Sequence, residues 1–130
     1  MIEHRIESIM RPDAQTLDPD TPIRRAISNL LDADIAAAPV IGEDGRLVGI
    51  LTQKDCFRPA LHASYYQEWS GRVADQMSPD VITVDANDDV IRVAEMFLSH
   101  PHRVFPVMNG MQVVGMAHRS DVLSLLLQAG

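Results

Sequence analysis

The chain repeats itself, and this internal repetition limits its fold more than any other feature of the sequence. Met-Arg-Pro-Asp at 10–13 returns as Met-Ser-Pro-Asp at 77–80, and Thr-Leu-Asp at 16–18 returns as Thr-Val-Asp at 83–85. Similarity at a fixed period indicates two copies of one supersecondary unit, each too small to bury both faces of its own sheet.

Each copy contains an apolar pattern with the period of an α-helix. Apolar residues fall at i, i+3, i+4, i+7 and i+8 from Ile23 and again from Val90. This spacing places them on one face of an amphipathic helix, which we expect to face the core. Thr21 before Pro22 predicts the N-cap of the first helix, and Asp88 stands at the matching position of the second. The predicted core positions are Ile23, Ala26, Ile27, Leu30 and Leu31, and Val90, Val93, Ala94, Phe97 and Leu98.

A β-hairpin is predicted in each copy, at about 38–51 and 104–117, where two apolar strands flank a turn. The three residues 43–45, which end in Gly, favour a hairpin with a bulge, whereas Asn-Gly at 109–110 favours a two-residue type I′ turn. Equivalent residues of the two copies are 67 positions apart before this turn and 66 after it, because the second turn is one residue shorter.

These patterns predict an α+β fold in which each copy runs strand, helix, strand, strand, helix. The opening strands are short extended segments at about 15–18 and 81–84, and the closing helices begin near Gln53 and Arg119. Ser-Gly at 70–71 predicts the end of the helical stretch that joins the copies.

We place repeat one, with its lead-in, at 1–66 and repeat two at 67–130. Because neither copy has enough apolar surface of its own, we expect the two to pack about a pseudo-two-fold axis as one module.

Charge and cysteine content narrow the classes of partner. The formal net charge of −7 opposes binding to nucleic-acid polymers and to anionic membranes. The single cysteine, Cys56, excludes an internal disulfide and favours a reducing compartment. The apolar run at 122–127 is far shorter than the roughly 20 residues that a membrane-spanning helix needs. We therefore expect a soluble cytoplasmic protein.

The repeats resemble the cystathionine-β-synthase (CBS) domain pair, also called a Bateman module. Ile-Met-Arg-Pro at 9–12 and Gln-Met-Ser-Pro at 76–79 look like the lead-in of that family. Ala-Pro-Val-Ile at 38–41 and Phe-Pro-Val-Met at 105–108 look like its central strand, and Gly-Ile-Leu-Thr-Gln-Lys-Asp at 49–55 looks like its Gly-apolar-apolar-Thr-x-x-Asp signature. The resemblance covers nearly the whole chain and implies a free-standing regulatory module.

The resemblance implies that the cleft beside each signature binds an adenosine compound such as AMP, ADP, ATP or S-adenosylmethionine, as a regulatory ligand and not as a cofactor. In such clefts Thr contacts phosphate or ribose and Asp holds the ribose hydroxyls, roles that fall here on Thr52 and Asp55. A strand-to-helix junction also presents free backbone N–H groups to a phosphate. The alternative is that both side chains only cap the helix. The residues predicted for this cleft are Thr52, Lys54 and Asp55, the wall Ala37, Ala38 and Pro39, and Thr83 from the other repeat.

The second cleft departs from the family pattern. His118 stands where Thr is usual, while Asp121 is retained. His102 and Arg103 resemble the His-Arg lead into the central strand, where Arg meets phosphate through its fork of donors. An ordinary solvated loop is the alternative for these two residues. The residues predicted for this cleft are His102, Arg103, Phe105, Pro106, His118, Arg119, Ser120 and Asp121, with Thr16 from the other repeat. We expect the two clefts to be unequal.

Two functions from different classes fit these features. In the first, ligand binding shifts the arrangement of repeats or subunits, and a regulated protein of unknown identity senses the change. In the second, the clefts are degenerate and the module is a ligand-free scaffold for dimerisation or docking. An enzyme is disfavoured, because the chain offers neither a nucleophile with its base nor a glycine-rich phosphate loop. No metal site is predicted, since His100 and His102 lack supporting ligands.

Assembly is predicted from an apolar face of the last helix and from the aromatic residues of the connecting segment. Family members commonly form homodimers through their helices, and an apolar surface on the last helix fits such a contact. The residues expected there are Val122, Leu123, Leu126 and Leu127, together with the aromatic residues Tyr65, Tyr66 and Trp69 of the connecting segment.

Overall fold

The computed structural model describes residues 4–129 and divides them into two compact units. The range Gln15–Val81 forms one unit, and the described residues on either side of it form the other. We call them the Asp55 unit and the Asp121 unit, after the aspartate of each signature. Both combine strands with helices, which confirms the predicted α+β fold.

The two units differ from the two repeats in where the lead-ins belong. The repeats, 1–66 and 67–130, each begin with their own lead-in, but contacts assign the segment 10–13 to the Asp121 unit and 77–80 to the Asp55 unit. Each compact unit is therefore completed by the lead-in of the other repeat.

In the Asp55 unit, an amphipathic helix packs beside an antiparallel hairpin. Leu17 extends the sheet by pairing parallel with Val40 in the hairpin's first strand. A 3₁₀ turn, Lys54–Cys56, carries the chain from the hairpin into the closing helix. The elements are α1 (Ile23–Asp32), β1 (Ala37–Ile41), β2 (Leu47–Thr52), α2 (Phe57–Tyr66) and α3 (Val73–Gln76).

The Asp121 unit repeats this order. Its first strand pairs parallel with the first hairpin strand, Val84 opposite Val107. The elements are β3 (Val84–Asp85), α4 (Val90–Ser99), β4 (Val104–Asn109), β5 (Gln112–His118) and α5 (Arg119–Ala129). Both predicted hairpins and both predicted helix pairs are therefore confirmed.

The signature glycine of the Asp55 unit lies where the lead-in crosses the hairpin. Ile50 and Ser78 exchange two backbone hydrogen bonds of 2.9 Å. A Cβ on Gly49 would lie 2.6 Å from the sulfur of Met77 and 2.9 Å from the carbonyl oxygen of Ser78. Glycine is required here because the backbones approach too closely for any side chain.

The Asp121 unit has the same crossing with different lead-in residues. Met116 and Arg11 exchange backbone hydrogen bonds of 2.9 and 3.0 Å. A Cβ on Gly115 would lie 2.7 Å from the sulfur of Met10 and 2.8 Å from the carbonyl oxygen of Arg11. The crossing therefore fixes residue 11 beside the end of β5, as Ser78 is fixed beside β2.

The two cores differ most at one pair of equivalent positions. Phe105 is fully buried in the Asp121 unit, where the Asp55 unit has the buried Ala38. The last apolar position of each amphipathic helix contradicts the prediction, since Leu31 is 60% exposed and Leu98 is 90% exposed. The buried stripe is narrower than the sequence pattern, because position i+8 lies at the edge of that stripe on the helix surface.

Helix starts lie one residue later than predicted. Helix α1 has Pro22 at its N-cap position, so Thr21 is not the cap. Helix α4 is capped by Asp89, whose carboxylate accepts a hydrogen bond from the backbone N–H of Ile91, while Asp88 accepts one from the N–H of Asp85.

Two turns also differ from the sequence prediction. Asn109 pairs with Gln112, so the second hairpin loop is Gly110 and Met111, with Gly110 at φ +62°. A positive φ at the first loop residue fits a type II′ turn better than the predicted type I′. Helix α2 ends at Tyr66, before the predicted Ser-Gly stop, because Gln67 takes a left-handed conformation with φ +55°.

Within residues 4–129, every helix is too short or too polar to cross a bilayer.

Candidate functional site

The signature of the Asp55 unit folds into a reciprocal cap. The backbone N–H of Asp55 donates to Oγ1 of Thr52 at 3.2 Å, and the backbone N–H of Thr52 donates to Oδ2 of Asp55 at 2.9 Å. This capping box satisfies donors that the strand-to-helix junction would otherwise leave unpaired. Thr52 and Asp55 therefore cap this turn, and both side chains are half-buried. Their contact with a ligand stays a prediction.

A polar cleft of about 470 Å³ opens beside this cap. Lys54 and Arg58 bring positive charge to it, and Asp55 and Asp75 bring negative charge. Gln76 completes the lining. The structure thus brings the predicted Lys54 and Asp55 together and adds Arg58, Asp75 and Gln76, which the sequence interpretation missed. Asp75 and Gln76 were hidden from it because they belong to the other repeat.

The predicted apolar wall lies in the first hairpin strand. Ala37 pairs with Thr52 across the hairpin, so the wall begins beside the signature. Ala37 is half-buried, while Ala38 and Pro39 are buried. The corresponding Phe105 and Pro106 are buried in β4 of the Asp121 unit.

In the Asp121 unit the signature aspartate is paired with an arginine. Nε of Arg11 donates to Oδ2 of Asp121 at 2.9 Å, and an NH2 group of Arg11 donates to Oδ1 at 3.2 Å. This two-point contact lowers the pKa of Asp121 and raises that of Arg11. In the sequence, the only sign of this ion pair is a difference between the repeats: Ser78 stands at the position equivalent to Arg11.

His118 lies close to this ion pair. Burial lowers its pKa, the positive charge of Arg11 lowers it further, and Asp121 opposes both effects. The imidazole is therefore neutral near pH 7 and offers one donor and one acceptor, where Thr52 offers a hydroxyl.

The other cations predicted for the second cleft lie at the start of α5 and before β4. The backbone N–H of Arg119 donates to the carbonyl of Arg103 at 3.0 Å, which places these two exposed residues side by side. Ser120 follows on the exposed surface of α5.

His102 is part of an aromatic cluster and not of a solvated loop. Its ring lies 5.5 Å from that of Phe105 and 5.7 Å from that of His100, and Phe97 stacks on Phe105 at 4.4 Å. The Nδ1 atom of His102 is buried without a hydrogen-bond partner. No group of three or more His, Cys, Asp or Glu side chains in the described residues is arranged to hold a metal ion.

Thr16 and Thr83 were each expected to contribute to the cleft of the opposite repeat. Thr16 is exposed in the Asp55 unit, next to the residue that bridges to β1, and Thr83 is half-buried in the Asp121 unit, just before β3. Their pairings with Asp121 and Asp55 join different units and stay predictions.

Cys56 is buried in the Asp55 unit, and its thiol donates to the carbonyl of Thr52 at 3.3 Å. Burial and the neighbouring Asp55 raise the pKa of Cys56 to about 11. A raised pKa and burial disfavour the thiolate, which is the reactive form of cysteine, near neutral pH.

Solved structures share this fold over nearly the whole chain. CBSX2, determined in complex with AMP, is 22% identical with a TM-score of 0.83 and covers 97% of this chain and 98% of its own. The CBS domain pair of MJ0100, determined with 5′-methylthioadenosine and S-adenosyl-L-methionine, is 23% identical with a TM-score of 0.82, and covers 99% and 100% of the two chains.

Two of the sequence relatives are longer proteins. MJ1225 from Methanocaldococcus jannaschii is 25% identical over 125 residues, which is 96% of this chain and 44% of the relative. Inosine-5′-monophosphate dehydrogenase from Thermoplasma acidophilum is 29% identical over 121 residues, 92% of this chain and 23% of the enzyme. The chain thus spans less than half the length of these relatives.

The CBS domain family model matches the chain twice, at residues 6–61 and 71–128. The two matches follow the internal repeat and include both signatures with their glycines and aspartates. Together with the shared fold, they show that this chain belongs to the CBS domain family as a tandem pair.

Proposed function

We propose that this chain is a regulatory module that binds an adenosine-containing ligand. AMP, ADP, ATP and S-adenosylmethionine are the candidates. CBSX2 with AMP and the MJ0100 pair with 5′-methylthioadenosine and S-adenosylmethionine support the choice of ligand class, since both have the same fold.

The observation that carries the proposal is the Thr52–Asp55 cap at the edge of an open cleft. Oδ2 of Asp55 accepts the backbone bond, so Oδ1 is available to a ribose hydroxyl. Lys54 and Arg58 supply charge-assisted donors to a phosphate or carboxylate of the ligand. The cleft, at about 470 Å³, falls in the range of small-molecule sites.

Calorimetric titration of the purified chain with AMP, ATP and S-adenosylmethionine tests the proposal. We expect saturable binding of at least one compound, and a loss of about tenfold or more in affinity for Asp55→Ala, because a charged hydrogen bond to the ligand is removed. Asp44→Ala, in the exposed first hairpin turn, is the control and should bind as the unaltered chain does. Equal affinities of the two variants would contradict the assignment of Asp55.

We propose that the module acts by binding and not by catalysis. The longer relatives include an enzyme, and this chain corresponds to only 23% of it. The nucleotide should be recovered unchanged after prolonged incubation with the chain, as judged by chromatography. A regulated protein partner and a cytoplasmic location stay predictions.

We propose that two copies associate through exposed apolar residues of α5. Leu123 and Leu127 are 67% and 81% exposed, whereas Val122, expected on the same surface, is 2% exposed and belongs to the core. Light scattering should give a dimer mass for the chain and a monomer mass for the Leu123→Glu, Leu127→Glu variant. Met111→Glu in the second hairpin loop, 58% exposed, is the control.

The ligand-free scaffold is the second candidate, and one feature of the Asp55 unit favours it. An apolar groove of about 170 Å³ lies between α1 and α2, lined by Ile27, Leu30, Leu31, Gln53, Cys56, Phe57 and Ala60. Phe57 is 65% exposed at its edge. A cellular role that survives Asp55→Ala and is lost in Phe57→Glu would favour the scaffold.

A further inference from the structure

The residue that most distinguishes the two clefts comes from the lead-in. Arg11 and Ser78 occupy equivalent places, each pairing with the hairpin strand beside a signature glycine. Ser78 has no charge, but the guanidinium of Arg11 reaches Asp121 and binds both of its carboxylate oxygens. The carboxylate that would hold a ribose in the Asp121 unit is therefore already occupied.

The segments around Asp121 are rich in arginine. Arg11 binds Asp121 itself, while Arg119 begins the helix that carries Asp121 and is joined to Arg103 by a backbone hydrogen bond. The other cleft has Lys54 and Arg58 together with Asp55 and Asp75. An excess of arginine favours a ligand group with negative charge, and guanidinium forks bind phosphate with two donors.

Opening the Arg11–Asp121 pair is not costly in itself. The side chain of Arg11 is 58% exposed and that of Asp121 is 33% exposed, so the ion pair is weak. Breaking it to bind a ligand lowers the affinity by a factor of about five or less. A ligand with a phosphate gives Arg11 a new anionic partner when the pair opens. A nucleoside without one leaves the guanidinium with no partner and gains only the ribose contact.

We propose that Arg11 is a specificity-determining residue of the Asp121 unit, which makes this cleft selective for adenosine ligands that carry a phosphate. In this structure Arg11 holds Asp121. When a phosphorylated ligand binds, Arg11 moves to the phosphate and Asp121 becomes free for the ribose. This inference rests on the proposed function and adds a difference in ligand class between the two clefts.

The test compares AMP with adenosine, which differ only by the phosphate. Titrations use the full chain with Asp55→Asn, so that binding reports on the Asp121 unit, and the NMR signal of the His118 ring locates the ligand. We expect AMP to bind about tenfold or more tightly than adenosine. Adding Arg11→Met should lower the AMP preference by about tenfold, and should leave adenosine affinity unchanged or raise it by up to about fivefold.

Two further variants separate selectivity from folding. Arg72→Met removes an exposed arginine that forms a similar 2.9 Å ion pair with Asp20 in the other unit, and it should keep the full AMP preference. Arg11→Lys keeps the charge without the fork and should retain part of the preference.

The outcomes distinguish this inference from the proposed function. An AMP preference that is equal in Arg11→Met and Arg72→Met would overturn the role of Arg11. If AMP binds the unaltered chain but leaves the His118 signal unmoved at saturation, the inference fails and the proposed function stands. If neither AMP, ATP nor S-adenosylmethionine binds the unaltered chain, both are wrong.

Discussion

The Asp55 and Asp121 units have the same order of elements but use their signature aspartates differently. Asp55 accepts a hydrogen bond from Thr52 in its own signature, while Asp121 is bound by Arg11 of the lead-in. The two backbones are alike because both units need the same close packing. In each, the signature glycine, Gly49 or Gly115, leaves room for the lead-in segment that crosses it. The side chains that project beyond the crossing are free to differ, and there the two clefts diverge.

The largest expected effect concerns the difference in core filling. Phe105→Ala gives the Asp121 unit the residue that the Asp55 unit has at Ala38, and should lower the free energy of unfolding by about 3–5 kcal/mol because it opens a cavity beside Phe97. Urea unfolding followed by circular dichroism measures it. Phe57→Ala, at a 65% exposed site, is the control and should change stability by less than about 0.5 kcal/mol. Similar values for both would show that the aromatic cluster is dispensable.

The next effect tests whether the two crossings are equivalent. Gly49→Ala and Gly115→Ala should each lower stability by about 1–3 kcal/mol, because the added Cβ meets backbone of the lead-in at 2.9 and 2.8 Å. Chemical denaturation of both variants gives the comparison. Gly45→Asn is the control, since nothing lies within 4 Å of its Cβ position and Asn tolerates its φ of +83°. A cost confined to one glycine would break the equivalence of the units.

A smaller effect concerns the cap found in the Asp55 unit. Thr52→Val keeps the side-chain shape but removes the Oγ1 acceptor for the N–H of Asp55, so we expect a loss of about 1 kcal/mol in thermal or urea unfolding. Lys54→Ala in the same turn is exposed and serves as the control. If both variants were equally stable, the cap would contribute nothing measurable.

The smallest effect is the acid dependence of the Asp121 unit. The folded state lowers the pKa of His118 below 6.5 and that of Asp121 below 3.8. Unfolded chains then bind more protons, so stability falls as pH drops below about 6.5 for His118 and below about 4 for Asp121. Because the ion pair is partly exposed, we expect less than about 1 kcal/mol from it.

Melting temperatures between pH 7 and 3 measure this dependence. His118→Asn should remove the first window, and Arg11→Met should weaken the second by letting the pKa of Asp121 return towards its ordinary value. An identical pH profile for Arg11→Met and the unaltered chain would contradict the pairing seen here.

Much of the fold followed from the repeated patterns. Helix α1, helix α4 and both hairpins lie where the apolar spacing predicted them, because a stripe of buried side chains is a local property of the chain. The errors lie at boundaries. Thr21 and Asp88 are both acceptable caps, but each helix begins one residue later than the sequence predicted.

The site was predicted less completely than the fold. The sequence placed Thr52 and Asp55 at one junction, which local spacing suffices to show. It did not place Asp75 beside Asp55, or Arg11 beside Asp121, because these contacts join segments 20 and 110 residues apart. Spacing along the chain has no bearing on such neighbours.

The sequence by itself determined the two copies, their elements, and the two unequal signatures with Thr52 in one and His118 in the other. Only the tertiary structure decided that each unit takes the lead-in of the other repeat, and hence that Arg11 lies beside Asp121 while Ser78 takes the equivalent place in the Asp55 unit. The reason is physical: local patterns fix which residues are buried, but the close approach of two backbones at Gly49 and Gly115 selects which distant segment lies beside them.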